Sequence, residues 1–469
     1  MSAETVLTAL LPEVLLLAGL LLLIGLEIAV PRHRGAFAVS LLAVAAAAAA
    51  AAWLSAGGSS AAPFPGHYSV GPDTFAAKAV VLALAVPVLL LARGEFPGGP
   101  FYPLLVSSLL GVCLVVSADS FLTLFLGVEL MSIPVYVLVV LAFQREESAE
   151  AALKYLVLSG TASATFLLGV SLLYGGSGSL ALSAFSTALG SRDVLATAGV
   201  VLVLSAFFLK AAVVPFHTWA PDAYEAASVP VTAYMAAVVK AGVLFAVLRL
   251  FALAPAERPL VDLLALLPLA SMVWGNLAAM RQDGLRRLIA YSSIAHAGYL
   301  FYAFLGDGPG RFQAVTFYLL AYGLMNVLVL AALPPAGDDV ARDRLERLKG
   351  LFQRQPYAAW MIAVAMLSLA GIPPFPGFVA KFLVFKNVVA AGYPVYAVLG
   401  LVGSYLGLYF YLRVIQYLFM APPPPAEEAS AAEGEGAPSR LALAATVLCL
   451  LPAILIALFP GWVIDRLGG

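Results

Sequence analysis

Charge is scarce in this sequence. Of 469 residues, 11% are Asp, Glu, Lys or Arg, against about 25% in a soluble domain, while 62% are hydrophobic and the mean hydropathy is +0.99. Such a composition excludes a soluble enzyme, a disordered chain and a fibrous one. The net charge of −1 provides no basic field for nucleic acid or for an anionic lipid surface. Cysteine is almost absent: Cys113 and Cys449 sit in apolar runs, with no CxxC pair, no metal-ligand spacing and no disulfide framework. The chain also lacks a dinucleotide fingerprint, a phosphate-binding loop and a haem-type pair of histidines on one span. No cofactor or metal is expected in it.

What is present is long apolar runs. A helix crossing the roughly 30 Å hydrocarbon core needs about 20 mostly apolar residues. Such runs occur near 6–29, 35–55, 74–92, 101–117, 120–142, 152–174, 194–214, 228–252, 260–280, 286–305, 311–333, 356–391, 394–420 and 440–463. The run 356–391 is read as one interrupted span, because Pro373, Pro374 and Pro376 break it. The expectation is an all-α polytopic membrane protein of about fourteen transmembrane helices, since a barrel would show short alternating segments. The first run is too long for a signal peptide, lacks a basic n-region and is followed by Arg32 and Arg34. With the N-terminus outside, thirteen loop Lys and Arg residues fall on the cytoplasmic side and four on the other, a positive-inside bias that puts both termini outside. Residues 421–439, Pro/Ala/Glu-rich, read as a flexible cytoplasmic linker.

Lysine and arginine are segregated. The eighteen arginines fall mostly in loops or at span ends, but six of the seven lysines, Lys78, Lys154, Lys210, Lys240, Lys381 and Lys386, lie within or beside apolar runs. Burial disfavours an ammonium, so an enclosed lysine exchanges its proton where an arginine keeps it. Ionisable groups inside a membrane mark ion paths and relays. Lys78 and Lys386, near span ends, are expected to snorkel to the interface, and Lys154 is divided between snorkelling and function. Lys210, Lys240 and Lys381 have apolar neighbours on both sides and are the candidate proton carriers. Glu129, near mid-membrane in FLTLFLGVELMSIPVYVLVV, needs a proton or a cation beside it, and pairing with a lysine makes a switch. Glu13, next to Pro12 at a helix start, reads as structural through the helix dipole.

Broken helices accompany the lysines. Pro215 follows Lys210 by five residues and is expected to free the carbonyl of Ala211; Gly371, Pro373, Pro374, Pro376 and Gly377 precede Lys381. Such breaks are tolerated in lipid where backbone is enclosed by protein or lines a wet cavity. His296, about ten residues into its span, has relay chemistry; His217, at a span end, reads as a loop residue.

These stretches resemble the proton-translocating, antiporter-like membrane subunits of bacterial respiratory complex I, the NADH:quinone oxidoreductases. The resemblance runs through GVELMSIPVYVL (127–138), EAALKYLVLSGTASATFLLG (150–169), LKAAVVPFHTWAPDAYEAASVPV (209–231), GNLAAMRQDGLRRLIAYSSIAHAGYL (275–300) and LSLAGIPPFPGFVAKF (367–382). EAALKYLVLSG and Lys381 bring it nearest the N-type subunits. The resemblance implies fourteen helices: a three-helix segment over 1–95, two inverted five-helix repeats over 100–252 (helices 4–8) and 260–420 (helices 9–13) with helices 7 and 12 broken, and a last helix over 440–469. It implies that Glu129 and Lys210 are a paired switch, that Lys240 is the central carrier, and that the proton passes through His296 toward Lys381 and the outside. It further implies a bacterial cytoplasmic membrane, flanking complex I membrane subunits as partners, no flavin, iron–sulfur cluster or nicotinamide in this chain, and quinone chemistry elsewhere as the drive. Alternatives on the sequence are a subunit of a multisubunit cation/proton antiporter or membrane hydrogenase, and a stand-alone secondary transporter, for which polar lining residues are scarce.

Overall fold

The computed structural model describes residues 3–31, 35–141, 146–252, 261–306, 308–335, 343–422 and 439–467. The expected linker lies almost wholly outside the described residues. Among them, helices carry nearly all the regular structure: α1 (Ala3–Ala9), α2 (Leu11–Ala29), α3 (Ala36–Ala56), α4 (Pro72–Ala92), α5 (Phe101–Val116), α6 (Phe121–Leu141), α7 (Glu146–Ser177), α8 (Ser183–Leu189), α9 (Val194–Ala211), α10 (Trp219–Ala226) and α11 (Val229–Tyr234). After α11 come a π-helical turn, Met235–Val239, and then α12 (Lys240–Phe251), α13 (Val261–Ala279), α14 (Leu285–Tyr302), α15 (Pro309–Ala331), α16 (Leu351–Arg354), α17 (Pro356–Ala370), α18 (Pro376–Ala390), α19 (Pro394–Phe419), α20 (Arg440–Leu458) and α21 (Pro460–Leu467). One antiparallel hairpin, β1 (Ala61–Phe64) with β2 (Tyr68–Val70), joins α3 to α4.

Among the described residues twelve helices are long and apolar enough to span a bilayer, and α5 and α17 are shorter apolar helices. α17 is short because the glycine-proline break ends it. Among the described residues the long spans α2, α3, α4, α6 and α20 carry no strong amphipathic stripe, as apolar surroundings on every side require. Helix pairs approach through small residues, as lipid offers no hydrophobic drive for association. At the α5–α6 crossing a Cβ on Gly111 would lie 2.3 Å from the Met131 backbone nitrogen, so only glycine permits that contact.

Burial sorts the spans into an inner and an outer set. Within an 18-residue stretch of each span, every residue is buried in Val229–Phe251 and 94% are buried in Leu285–Leu305 and Gly310–Ala331, against 28% in α2 and α20. The lysine- and histidine-bearing helices α12 and α14 are thus enclosed on all sides, which makes their polar groups depend on protein partners. Lys78 departs from the expectation of snorkelling. Its side chain is fully buried, 2.7 Å from a Glu13 carboxylate oxygen and 3.0 Å from the Tyr68 hydroxyl, which itself donates to Glu13 at 2.7 Å. The hairpin sets Tyr68 over the starts of α2 and α4 and closes the route to the interface; Glu13 is a partner for this ammonium and not only a dipole residue.

Candidate functional site

The first cluster forms where α9 ends. Ala212 adopts a left-handed conformation (φ 61°), with Ala212 N bonded to Leu209 O and Val213 N to Phe208 O, the paired bonds of a Schellman stop. Lys210 therefore occupies the last turn, where free carbonyls favour a cation. Pro215 was expected to free the carbonyl of Ala211; the stop comes earlier, and the end carbonyl of Leu209 is also bonded by the Trp219 indole N–H at 2.9 Å. The Lys210 ammonium donates to Ser159 on α7 at 2.9 Å and lies 3.3 Å from Glu129 on α6. Ser163, one turn beyond Ser159, donates to Glu129. The lysine side chain is 6% exposed and the glutamate 22%. The pair expected from sequence is thus assembled by three helices.

Lys240, the lysine expected to be the central carrier, follows the π-helical turn. This turn inserts one residue into the helical register immediately before Lys240, and such insertions cluster at functional positions. Lys240, 6% exposed, donates to the backbone carbonyl of Ser293 on α14 at 2.6 Å. A seam too narrow to hold water, lined by Ser159, Lys210, Trp219, Val239 and Val243, runs between the first cluster and the turn before Lys240. Lys210 lines this seam and Lys240 does not, and no direct hydrogen bond between the two lysines is present among the described residues.

His296 sits three residues beyond Ser293, and Tyr299 three beyond that, along one face of α14. The imidazole Nδ1 is 2.8 Å from the Tyr318 hydroxyl and Nε2 is 3.1 Å from that of Tyr411. Tyr299 packs edge-on to the imidazole with centroids 5.6 Å apart, and the Lys381 ammonium stands 4.9 Å from the Tyr299 ring centroid. α14 is therefore the strut that holds Lys240 through Ser293, carries His296, and meets Lys381 through Tyr299.

Lys381 lies just past the second break. Gly371 (φ 83°) ends α17 with Gly371 N on Ser368 O and Ile372 N on Leu367 O, the same stop as at Ala212. The carbonyl of Ala370, left without a helical partner, accepts from Lys381 at 3.0 Å, and Ser404 on α19 accepts at 2.9 Å. Gly377 permits α18 to start against this end, since a Cβ there would fall 1.8 Å from the Ser368 carbonyl oxygen. Here the break supplies a ligand to the lysine, which the sequence pattern anticipated in kind.

At the other end of these helices Lys154 is half exposed and pairs with Glu150 at 2.7 Å and Asp222 at 2.9 Å; Arg287 joins Asp222 at 3.0 Å and Glu225 at 2.6 Å. These charges line a cavity of about 730 Å³ together with Arg281, Asp283 and Asp343. His217 accepts from the Trp274 indole at 2.9 Å, a loop contact as expected. Sequence reading missed Ser159, Ser163, Tyr318 and Tyr411. Serines and tyrosines are ordinary in apolar spans, and only their juxtaposition to a charge marks them. The seven-residue spacing of Ser404 and Tyr411, which puts both on one face of α19, was a readable signal.

A multi-pass helical membrane protein with buried lysines at two broken helices is the class that fold and site define. Residues 118–407 match the family described as NADH:quinone oxidoreductase/Mrp antiporter, transmembrane, and the chain belongs to that family. It is 38% identical over 421 residues to an NADH-quinone oxidoreductase subunit N of Pelobacter propionicus, covering 89% of this chain and 90% of that one. A chain in respiratory complex I from Thermus thermophilus matches with a TM-score of 0.84 and 34% identity over 98% of this chain and 100% of its own length. A chain of the Mrp complex from Dietzia shares the fold, with a TM-score of 0.83 and 24% identity over 100% of this chain and 97% of that one.

Proposed function

We propose that the chain is the N-type, proton-translocating membrane subunit of a bacterial NADH:quinone oxidoreductase, with Glu129, Lys210, Lys240, His296 and Lys381 as its proton path. The observation that carries the reading is the set of three buried lysines, each held by a serine hydroxyl or a helix carbonyl, two of them at helix breaks of the same Schellman form. Identity to subunit N relatives over most of the chain supports the assembly it belongs to. Glu129 tunes Lys210 by distance. At an effective dielectric of about 20, doubling their separation from 3.3 Å weakens the attraction by about 2.5 kcal/mol. Moving one charge against 100 mV costs about 2.3 kcal/mol, so a small helix displacement is large enough to load or unload the lysine.

In this reading the chain crosses the cytoplasmic membrane fourteen times, α9–α10 and α17–α18 being single broken spans in two inverted repeats, with both termini outside. Other membrane subunits flank it, and the redox groups that drive it reside elsewhere in the complex. The test is Lys210→Ala in the assembled enzyme. Proton pumping and the coupled NADH:quinone activity fall together while the complex still purifies with its flavin- and iron–sulfur-bearing arm. Normal pumping by the assembled variant overturns the role of Lys210; purification with membrane subunits alone and no NADH oxidation moves the chain to a cation/proton antiporter.

A further inference from the structure

The imidazole of His296 is gripped at both nitrogens by tyrosines from two other helices, Tyr318 of α15 and Tyr411 of α19. The Tyr411 hydroxyl is in turn 2.6 Å from Ser292 Oγ. All four side chains are buried. A neutral imidazole carries one N–H and one bare nitrogen, so the two tyrosines play opposite parts: one accepts from the ring while the other donates to it. The arrangement therefore has two states of similar geometry, one for each tautomer.

The two ends of this chain lead to different places. Ser292 is adjacent to Ser293, whose carbonyl holds Lys240. Tyr318 and His296 border a small cavity of about 10 Å³, room for about one water, whose other walls include Ser368, Leu369, Gly377 and Ala380, residues of the second break beside Lys381. One end thus lies one residue from the carbonyl that holds the central lysine, and the other opens on a cavity beside the helix that carries the exit lysine.

We infer that Ser292, Tyr411, His296 and Tyr318 form one proton wire between Lys240 and Lys381, in which the two tyrosines position the imidazole and set its tautomer; the inference rests on the path proposed above. Before transfer, the ring carries its proton on Nδ1 and donates it to Tyr318, while Tyr411 donates to Nε2. A proton given up by the Lys240 ammonium crosses to the Ser292 hydroxyl by one bridging water, and Ser292 hands its own hydroxyl proton to the Tyr411 oxygen. The Tyr411 O–H that pointed at the ring breaks as Nε2–H forms. Nδ1–H then breaks as its proton passes to the Tyr318 oxygen, and the former Tyr318 hydroxyl proton leaves through the cavity toward Lys381. One proton enters and one leaves, every hydroxyl and the ring end neutral, and only the tautomer is inverted. Rotation of the hydroxyls and return of the ring proton to Nδ1 reset the wire. Phenylalanine at either tyrosine keeps the ring packing and removes the relay.

The experiment pairs Tyr411→Phe and Tyr318→Phe with His296→Gln in the whole NADH:quinone oxidoreductase, reading protons moved per NADH oxidised. A second readout is the ¹⁵N spectrum of the histidine-labelled full chain, with His296 assigned by its loss in His296→Gln. A buried N–H left unbonded costs more than a bare ring nitrogen, so each variant turns the N–H toward its remaining tyrosine. Tyr411→Phe gives the Nδ1–H tautomer and Tyr318→Phe the Nε2–H tautomer, and both lower the proton yield to that of His296→Gln. A wild-type yield in either tyrosine variant, with His296→Gln impaired, overturns the wire and leaves the path standing. A wild-type yield in His296→Gln overturns the wire and the place of His296 in the path together. Where a variant does not assemble, the spectra decide, and the same tautomer in both tyrosine variants overturns the wire.

Discussion

Among the described residues two glutamate–lysine pairs hold a buried lysine, and they are built to opposite ends. Glu13–Lys78 is sealed: the ions are 2.7 Å apart, the lysine side chain is inaccessible, and Tyr68 on the hairpin clamps both partners. Glu129–Lys210 is looser at 3.3 Å, its carboxylate is partly open, and the intervening groups are serine hydroxyls free to rotate about one bond. A closed pair with a rigid aromatic clamp fastens helices together, whereas a longer pair with short rotatable partners can change separation. The largest expected effect comes from breaking the sealed one. Glu13→Ala leaves an uncompensated buried ammonium and costs about 3–5 kcal/mol, seen as a lower unfolding temperature of the purified complex. Replacing the pair together by Glu13→Leu and Lys78→Met restores stability to within about 1 kcal/mol or raises it, because the desolvation penalty disappears with the charges. Thermal unfolding followed by circular dichroism checks both.

The looser pair is expected to respond in the reverse sense. Glu129→Gln keeps the Ser163 contact and a polar neighbour for Lys210, whose amine retains Ser159 and can shed its proton, so the loss of stability is smaller than at Glu13. Pumping per NADH, however, falls to the level of Lys210→Ala. Measuring unfolding and proton yield on the same preparations separates the two pairs: stability is lost at Glu13 and transport at Glu129. If Glu129→Gln destabilised as strongly as Glu13→Ala with pumping intact, the contrast would collapse.

The sequence made most of the fold legible, and the site only in part. Apolar runs of sufficient length announce the spans because a bilayer demands them whatever the packing, and proline and glycine clusters mark both breaks through local sterics. Lys210, Lys240 and Lys381 stood out because a charge in an apolar run is costly wherever it lies. Lys78 was misread for the same reason in reverse: position along the span places it near an interface, but the hairpin residue that closes over it is ten residues away and reveals itself only in three dimensions. The hydroxyls of Ser159, Ser163 and Tyr318 were invisible, since they carry no charge to make their burial conspicuous, and Tyr411 could be reached only through its spacing from Ser404. The π-helical turn before Lys240 has no proline or glycine to signal it; every residue from Met235 to Val239 is buried, and its register is set by the surrounding helices.

The two breaks offer the finest comparison, because the same stop is made with different residues. At the second break the left-handed position is Gly371; at the first it is Ala212, which carries a Cβ where the conformation disfavours one. A non-glycine residue in this region costs about 1–2 kcal/mol, so Ala212→Gly relieves that strain, offset by about 0.4–1 kcal/mol of extra freedom gained by the unfolded chain. The net expectation is a small stabilisation, about 0.5 kcal/mol. Gly371→Ala runs the other way and meets a further obstacle, for its Cβ would lie 2.9 Å from Lys381 Cδ. That lysine must shift from the Ala370 carbonyl to make room, so Gly371→Ala lowers stability by about 2 kcal/mol and reduces proton yield as well. Unfolding temperatures moving in opposite directions, with transport lost only in the second variant, would show that the alanine at the first break is tolerated strain and the glycine at the second is space reserved for Lys381. Loss of transport in Ala212→Gly without loss of stability would instead assign a role to the rigidity of the first break, since glycine is the one change there that leaves every side-chain contact of Lys210 in place.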